Sequence, residues 1–317
     1  MELMKGLDMN KELLKAQIEK HIKLVKDETK VFNLMLSGGV DSGVLAAIGD
    51  PDIVISVRLP YGEKYDEYSS MEKTIKHLGL EDKWVVINLD QYDVHEVMKE
   101  AVRAIGRPIP HFNIFPLFVA YKTAKKMGLR SIVVGDGPDE SMCGYTRHLI
   151  VDYLYKIYSF PAFYHYQPTI DKILANFDEV YANLIRKPIS QVRPIMNKYK
   201  GILSKVCAVD MALMRPDMDD MSDNLAKYFG ITLYRPYQYP EIDTFMFDLP
   251  DEDKIHNVEY GKYLLRRIAA DYLPEEVAWR KQKIGGPLVP MNQLLGINES
   301  EFSKEGYMNY QEKILNE

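Results

Sequence analysis

The hydrophobic and polar positions of the first 145 residues follow two alternating patterns. Apolar residues recur every three or four positions between residues 10 and 27, which predicts an amphipathic helix. Short, almost entirely apolar runs then alternate with longer amphipathic stretches, and this predicts buried strands joined by helices. The predicted strands are 31–36, 52–59, 83–89 and 130–134, and the predicted helices are 68–78, 95–105 and 115–126, with a further helix beginning at 44–48.

This alternation predicts an α/β fold, in which a doubly wound parallel sheet carries helices on both faces. No further strand–helix repeat is visible after residue 145, so we expect a mainly helical layer there, packed on the sheet. The predicted divisions are an N-terminal helix (1–30), an α/β core (31–150) and a mainly helical region (151–317) within one compact unit. The acidic run 217–223 is predicted to be a solvated loop.

The composition is that of a globular enzyme, with 46% hydrophobic and 27% charged residues. A net charge of −6 argues against non-specific binding to nucleic acid. The two cysteines, Cys143 and Cys207, are far apart in sequence and lack metal-ligand spacing, which favours a reducing compartment. The chain shows neither a signal-peptide pattern nor an apolar run of membrane-spanning length. We therefore expect a cytoplasmic protein.

The first candidate for chemistry is the sequence SGGVDS, residues 37–42, between a predicted strand and a predicted helix. Two adjacent glycines allow the backbone to approach a ligand, and the N-terminus of the following helix favours an anion. Ser37 and Ser42 add hydroxyl donors, whereas Asp41 beside an anion requires a divalent cation such as Mg²⁺. The pattern is neither a Walker A motif nor GxGxxG, and it predicts a pyrophosphate-binding loop with one metal-binding carboxylate.

The fourth predicted strand runs into a second candidate loop, GDGPDE, residues 135–140. Three carboxylates on one short loop would repel one another without a cation. Ligands bind beyond the carboxyl ends of parallel strands, where both loops are predicted to lie. We therefore expect Asp139 to share Mg²⁺ with Asp41.

Both loops resemble motifs of a known family. SGGVDS is similar to the signature of PP-loop ATP pyrophosphatases, which cleave ATP between the α and β phosphates to adenylate an acceptor. GDGPDESMCGY (135–145) resembles the SGEG[SA]DExFGGY element of the asparagine synthetase and β-lactam synthetase branch. ISVRLP (55–60) resembles the second strand of that branch, and GKYLLRRIAADYLPEEVAWRKQK (261–283) resembles its GKxxLR…LPxxVxxRxK stretch. The resemblance covers most of the chain in scattered blocks.

The resemblance implies an ATP-dependent ligase that uses Mg²⁺, adenylates a small-molecule carboxylate acceptor and transfers ammonia or an amine to it. AMP and pyrophosphate would be released. The N-terminal glutaminase domain of the family has no room ahead of SGGVDS, and Glu2 stands where its nucleophilic cysteine would be. We therefore expect a synthetase domain that takes ammonia from solvent or from a separate glutaminase subunit. A homo-oligomer is compatible with the sequence.

Carried over by position, the resemblance implies phosphate contacts from SGGVDS, adenine contacts from the second strand and a charge-stabilising lysine near the C-terminus. RKQK leaves two lysines for that role, of which we favour Lys283 over Lys281. Asp136 would act as a base toward the attacking amine. The candidate residues are Lys283, Lys281 and Asp136 for catalysis; Leu36, Ser37, Gly38, Gly39, Asp41, Ser42, Val57, Leu59, Gly135 and Gly137 for ATP; and Asp41 and Asp139 for Mg²⁺.

The chain departs from the family on the acceptor side. Asp136 replaces a Glu, and Thr232 and Tyr234 replace the Glu and Arg of a GxExRxPF element. These changes suggest that the acceptor is not aspartate. Two alternatives stay open: an enzyme that adenylates a nucleobase or RNA carbonyl, and a catalytically silent nucleotide-binding protein. The acidic net charge and the isolated cysteines count against the first, and the three departures keep the second open.

Overall fold

The computed structural model describes residues 2–60, 66–109, 111, 113–158, 167–257, 259–281, 295–296 and 304–316. Its contacts divide the chain into two compact units, each assembled from three stretches. The sheet unit comprises Glu19–Gly135, Met218–Pro236 and Tyr272–Glu317. The helical unit comprises Met1–Ile18, Asp136–Asp217 and Tyr237–Asp271. These units are defined by contacts, and the predicted boundaries at residues 30 and 150 stay a prediction about domains.

Parallel strands form the sheet of the sheet unit. The strands are β1 (Asn33–Met35), β2 (Ile53–Arg58), β3 (Trp84–Asn88), β4 (Ser131–Val133) and β5 (Thr232–Tyr234). Their order is β3-β2-β1-β4-β5, and every neighbouring pair is parallel. The central strand β1 pairs with β2 through Asn33 and Ile53, and with β4 through Leu34 and Val133. This sheet confirms the predicted α/β fold.

Helices alternate with the first four strands, as the hydrophobic pattern predicts, and most predicted boundaries agree within a few residues. The helix predicted to stop before Gly79 ends there because Gly79 takes the left-handed conformation and donates its N–H to the carbonyls of Ile75 and Lys76. The helices up to β4 are α1 (Glu2–Thr29), α2 (Val40–Gly49), α3 (Tyr68–Leu78), α4 (Val94–Ile105) and α5 (Ile114–Lys126).

The core of the sheet unit contains aromatic side chains of α5 and aliphatic side chains of the strands. Phe115, Phe118 and Tyr121 are fully buried in it. The Tyr121 hydroxyl shares a hydrogen bond of 2.7 Å with the hydroxyl of Ser222. A final helix, Lys304–Asn316, adds to the same core and contacts α4. The sheet is therefore held on a continuous apolar layer.

The helical unit is built from short helices and one two-stranded antiparallel hairpin. Its core includes Tyr181, Cys207 and Val209, all fully buried. A π-helix, Asp210–Met214, follows one of these helices directly. The helices from the second loop onward are α6 (Pro138–Ser141), α7 (Thr146–Tyr158), α8 (Gln167–Ala175), α9 (Phe177–Ile185), α10 (Ile189–Met196), α11 (Ile202–Val209), α12 (Arg215–Tyr228), α13 (Pro240–Asp248), α14 (Asp251–Lys254), α15 (Tyr263–Ala269) and α16 (Glu275–Ala278), and the hairpin strands are β6 (Ile255–His256) and β7 (Tyr260–Gly261).

The region after residue 145 is mainly helical in the described residues, but one strand that the sequence pattern did not predict, β5, extends the sheet. β5 pairs with β4 through Thr232 and Ser131 and through Tyr234 and Val133. A strand of three residues with an exposed first position is too short to stand out as an apolar run.

The prediction that residues 217–223 form a solvated loop is wrong, because they lie within α12. Met221 and Leu225 are buried on one face of this helix. On another face, Asp219 and Asp223 form ion pairs with Arg235 at 3.3 and 2.8 Å. The acidic run is therefore half of an amphipathic helix whose partner cation comes from beyond β5.

Across the described residues, we find no helix that combines the length and the apolar character needed to cross a membrane.

Candidate functional site

The strand order creates a topological switch point in the sheet unit. The chain leaves the central strand β1 toward β2 on one side and later returns to β4 on the other side. In open α/β sheets, ligands bind in the crevice that such a reversal opens at the carboxyl ends of the two strands. SGGVDS follows β1 directly, and Gly135 follows β4. The sequence-predicted phosphate loop therefore lies where the topology expects a ligand.

The conformation of the loop requires glycine at Gly38. This residue has a φ of +79°, and a Cβ there would lie 3.2 Å from the backbone oxygen of Glu67. The hydroxyl of Ser70 donates a hydrogen bond of 2.8 Å to the Gly38 carbonyl. The start of α3 thus holds the loop by its backbone, and a side chain at Gly38 would disturb both contacts.

The two serines of the loop lie within hydrogen-bonding distance of one another. The Ser37 N–H donates to the Ser42 hydroxyl at 3.2 Å, and the Ser42 hydroxyl donates to the Gly39 carbonyl at 3.3 Å. Ser37 is exposed, whereas Ser42 and the preceding Leu36 are buried. The buried Ser42 hydroxyl therefore stabilises the loop by hydrogen bonds to its backbone, and the Ser37 side chain is exposed to solvent.

The N-terminus of α2 has the features of an anion site. Gly39 is its N-cap residue and, lacking a side chain, it cannot satisfy the first N–H groups of the helix. α2 spans 10 residues, so its dipole places partial positive charge at this end. Asp41 lies in the first turn and is half-buried. An anion can accept hydrogen bonds from the N–H groups at this helix end. The carboxylate of Asp41 can bind a cation beside that anion.

Gly135 brings the end of β4 against the same helix end. A Cβ on Gly135 would lie 3.0 Å from the backbone N of Ser42 and 3.3 Å from the Cβ of Asp41. Any larger residue would push the first turn of α2 away from the sheet. The structure thus brings together SGGVDS and the first residue of the second loop, two segments that are almost a hundred residues apart in sequence.

The predicted adenine-flanking residues, Val57 and Leu59, lie at the carboxyl end of β2. Both are partly buried and pack against the core of the sheet unit. Arg58 between them forms an ion pair of 2.9 Å with Asp66, and its guanidinium lies 4.5 Å from the ring centre of Tyr68. The Arg58 side chain is therefore held by Tyr68 of α3 and by Asp66 before that helix.

The C-terminal segment that carries the candidate lysines is described up to Lys281, which is exposed. Arg280, directly before it, forms an ion pair of 2.7 Å with Glu67. Lys283, the lysine that we favour from the sequence, lies outside the described residues. The described residues therefore place only the start of the RKQK segment.

The second loop belongs to the helical unit from Asp136 onward, and Asp136 is exposed. Gly137 has a φ of +126° and lies against the side chain of Tyr237, so this position also requires glycine. Asp139 forms an ion pair of 2.7 Å with the buried Lys262. Gly144 is packed against both side chains of this pair, since a Cβ there would lie 2.1 Å from each.

Buried charged groups continue behind the second loop. Glu140 is buried and accepts a hydrogen bond from the Tyr145 hydroxyl. Burial, together with the charge of Glu140, raises the pKa of Tyr145 well above its ordinary value, so this phenol stays a donor. The guanidinium of Arg147 lies 3.8 Å from the ring centre of Tyr145 and donates to the fully buried Asp210.

Asp210 is the centre of this network. It accepts hydrogen bonds from Arg147 at 3.1 Å, from His148 at 2.8 Å and from Tyr181 at 2.9 Å. Burial acts to raise the pKa of Asp210, but His148 and Arg147 outweigh it and hold that pKa below its ordinary value. A chain of polar contacts therefore runs from the π-helix to Glu140 of the second loop.

Asp41 and Asp139 lie in different units, so their sharing of a metal ion stays a prediction. Within the described parts of the chain, no cluster of three or more His, Cys, Asp or Glu side chains has the arrangement of a metal site. Two-carboxylate sites that are completed by phosphate oxygens need no such cluster.

Sequence reasoning missed the partners that hold the predicted residues. Lys262 stands in the quoted GKxxLR-like stretch without a role, and its pairing with Asp139 was not predicted. Arg280 and Glu67 lie more than two hundred residues apart, and no local pattern links them. The available signal in the sequence was that Lys262 stands in a segment that already resembled the family.

Comparisons with known proteins agree with this geometry. Residues 11–302 match the family model described as asparagine synthase. Among curated proteins, the chain is similar to the "Putative asparagine synthetase (glutamine-hydrolyzing) 1" of Methanocaldococcus jannaschii, with 26% identity over 133 residues. This match covers 40% of the chain and 23% of the archaeal protein, so the chain spans less than a quarter of that relative's length.

Proposed function

The chain belongs to the asparagine synthase family, and from this premise we propose that it is an ATP-dependent, AMP- and pyrophosphate-forming carbon–nitrogen ligase. The observation that carries the proposal is the SGGVDS loop at the switch point of the sheet, where α2 begins without a side-chain cap and Gly135 packs on its first turn. Such a helix end is suited to the β and γ phosphates of a nucleotide.

ATP would be held by the residues that the loop geometry favours. The N–H groups at the start of α2 and the exposed Ser37 hydroxyl would donate to the phosphates, and Val57 and Leu59 would flank the adenine. The carboxylates of Asp41 and Asp139 are hard oxygen donors of the kind that Mg²⁺ prefers, and we assign them as its ligands. Bound there, the ion would neutralise charge on the phosphates.

In the first step, an oxygen of the acceptor carboxylate attacks the α-phosphorus of ATP and the bond to the β-phosphate breaks. Pyrophosphate leaves, and an acyl-adenylate remains. The backbone N–H groups of the loop and the cation of Lys281 or Lys283 would stabilise the negative charge that develops on the phosphates.

In the second step, ammonia or an amine attacks the acyl carbon and AMP leaves with the electrons of the mixed-anhydride bond. The attacking nitrogen must lose a proton. The exposed carboxylate of Asp136 is the proposed acceptor of that proton. The products are an amide, AMP and pyrophosphate. The nitrogen source is either free ammonia or an amine, or a separate glutaminase subunit that delivers ammonia.

The test is a panel of small carboxylates and amines with ATP, in which pyrophosphate and AMP are quantified and the product is identified by mass spectrometry. We expect pyrophosphate release that depends on both the acid and the amine. The Asp41→Asn variant should lose at least about a hundredfold in rate, as is usual when an electrostatic partner of the transition state is removed. Release of ADP and phosphate would contradict the proposal. ATP binding without turnover on any acid would support a catalytically silent protein instead.

A further inference from the structure

An ion pair in the sheet unit connects Glu67, which lies beside the SGGVDS loop, to Arg280 near the C-terminal end of the described chain segment. The Nη2 atom of Arg280 lies 2.7 Å from the Oε1 atom of Glu67. Both side chains are largely buried, with 24% and 17% of their surface exposed, so water screens the pair weakly. An ion pair in such a position restricts both side chains more than an exposed pair does.

Glu67 also contacts the phosphate loop. Its backbone oxygen and its Cβ lie 3.2 and 3.4 Å from the position that a Cβ on Gly38 would occupy. Glu67 is the residue before α3, and its carbonyl accepts hydrogen bonds from the N–H groups of Ser70 and Met71. The backbone of Glu67 therefore packs on the loop while its carboxylate holds Arg280.

Two further contacts hold the segment before Arg280 on the same helices. The side chain of Leu273 fills the space beside Gly43 of α2, where a Cβ would lie 2.8 Å from its Cδ1 atom. Lys73 of α3 and Glu276 of α16 form an exposed ion pair of 2.8 Å. The chain thus reaches Arg280 in a defined course along α2 and α3, and Lys281 follows at once.

We propose that Arg280 is a positioning residue, which acts through its ion pair with Glu67 to hold Lys281 at the phosphate side of the SGGVDS loop. This proposal assigns the charge-stabilising role to Lys281 in place of Lys283, which the sequence favours. The inference rests on the proposed function, because it assigns the positioned lysine to the phosphates of ATP. Arg280 itself does no chemistry in this account. Its guanidinium fixes the point of the chain from which Lys281 extends, in the way that supporting residues lock a catalytic group.

The experiment measures the position of the lysine directly and its catalytic consequence separately. An acyl-phosphate derivative of ATP acylates lysines that lie next to bound phosphates, and peptide mass spectrometry reports the modified residue. The variants are Arg280→Gln, Arg280→Lys, Glu67→Gln and the charge exchange Glu67→Arg with Arg280→Glu. Lys76→Gln is the matched control, because it breaks an exposed ion pair with Glu72 within α3 and leaves every contact described for the Arg280 segment intact.

In the unmodified protein we expect labelling at Lys281 that excess ATP prevents. Arg280→Gln and Glu67→Gln should lower this labelling at least about fivefold, while the Kd for ATP changes less than about threefold, because loop contacts remain. Arg280→Lys and the charge exchange should each restore part of the labelling. Lys76→Gln should behave as the unmodified protein does. In pyrophosphate release, kcat should fall about tenfold or more in the two Gln variants, with KM for ATP nearly unchanged.

Unchanged labelling in both Gln variants overturns the proposal, and so does absence of ATP-protected labelling at Lys281 in the unmodified protein. A parallel loss of labelling, ATP affinity and melting temperature in all variants, without rescue by the charge exchange, would also overturn it, because it would show a general structural role. Failure of pyrophosphate release with normal labelling would instead count against the proposed ligase reaction alone.

Discussion

The two candidate loops are held in different ways. SGGVDS in the sheet unit is shaped by backbone contacts: Gly38 packs on a carbonyl, and Gly39 leaves the helix end open. The second loop, which belongs to the helical unit from Asp136 onward, also has a glycine at positive φ, Gly137, but side chains hold its carboxylates: Asp139 pairs with Lys262, and Glu140 accepts a hydrogen bond from Tyr145. A loop that is held by backbone contacts tolerates few substitutions at the residues that make those contacts. In a loop that is held by a network of charged side chains, one partner can be replaced at a time.

This difference explains where the chain keeps and where it loses the family pattern. The SGGVDS loop needs glycine at Gly38 for steric reasons, and the loop resembles the family signature throughout. Asp136 and Thr232, which depart from the family, are exposed and carry no such steric constraint. Under the proposed function, the backbone would constrain nucleotide binding, and the acceptor side would be free to adapt to another substrate.

The largest expected effect comes from breaking the charged network. Asp210→Ala removes a fully buried carboxylate that accepts from Arg147, His148 and Tyr181. Removing one partner of a buried ion pair typically costs about 3–5 kcal/mol, because the remaining charge stays buried without compensation. Urea denaturation should show a loss of this size in the free energy of unfolding.

The matched control is Asp220→Ala, which removes the exposed partner of Arg107 in the sheet unit. Exposed ion pairs contribute less than about 1 kcal/mol, so this variant should unfold almost as the unmodified protein does. Equal losses of unfolding free energy in the two variants would show that the buried network stabilises the fold no more than an exposed ion pair does.

The same network should make stability depend on pH in a defined direction. Since the pKa of Asp210 is lowered in the folded protein, its carboxylate stabilises the fold at pH values above its ordinary pKa of about 3.9. That contribution is lost as the pH falls through the lowered folded value. The free energy of unfolding should therefore fall more steeply with decreasing pH below about 4 in the unmodified protein than in Asp210→Asn. Identical pH slopes in the two proteins would show that Asp210 does not cause this pH dependence.

A smaller effect should follow from changing the backbone of the phosphate loop. Gly38→Ala and Gly79→Ala each place alanine at a positive φ, which costs roughly 1–2 kcal/mol in stability. A Cβ at Gly38 also meets the carbonyl of Glu67, whereas a Cβ at Gly79 meets nothing within 4 Å. We expect both variants to lose stability, and only Gly38→Ala to raise the Kd for ATP, by about tenfold, in calorimetric titration. Similar ATP affinity in both variants would argue against the loop as the phosphate site.

The smallest effect concerns a pair of thiols behind the second loop. The Sγ atoms of Cys143 and Cys207 lie 3.3 Å apart, and both residues are buried. The hydrogen bond from Cys143, together with the nearby His148, lowers the pKa of Cys207 to about 7. Burial acts in the opposite direction but is outweighed. A disulfide-forming oxidant such as diamide should therefore link the two thiols within one chain, faster at about pH 8 than at about pH 6.

Peptide mapping under non-reducing conditions checks this linkage, with Cys207→Ala as the control. Because the sulfurs are already in contact, we expect the oxidised protein to change its melting temperature by only a few degrees. Oxidation that yields only dimers between chains would contradict the observed contact. The sequence does not predict this contact, because the two cysteines are far apart along the chain.

The sequence by itself determined the α/β fold, the place of the phosphate loop and the course of the first four strands. Each of these depends on a local signal: a continuous apolar run, a helical period, or adjacent glycines between them. The short strand β5 and the helix through the acidic run gave weak local signals, because their burial depends on partners elsewhere in the chain.

Only the tertiary structure decided how the candidate residues are held. Gly135 packs against the backbone of Ser42, and Arg280 forms an ion pair with Glu67. Such contacts join residues that are close in space and far apart along the chain, and no periodicity records them. Local chemistry therefore predicted the α/β fold and the candidate phosphate loop, and packing between distant segments decided which side chains support that loop.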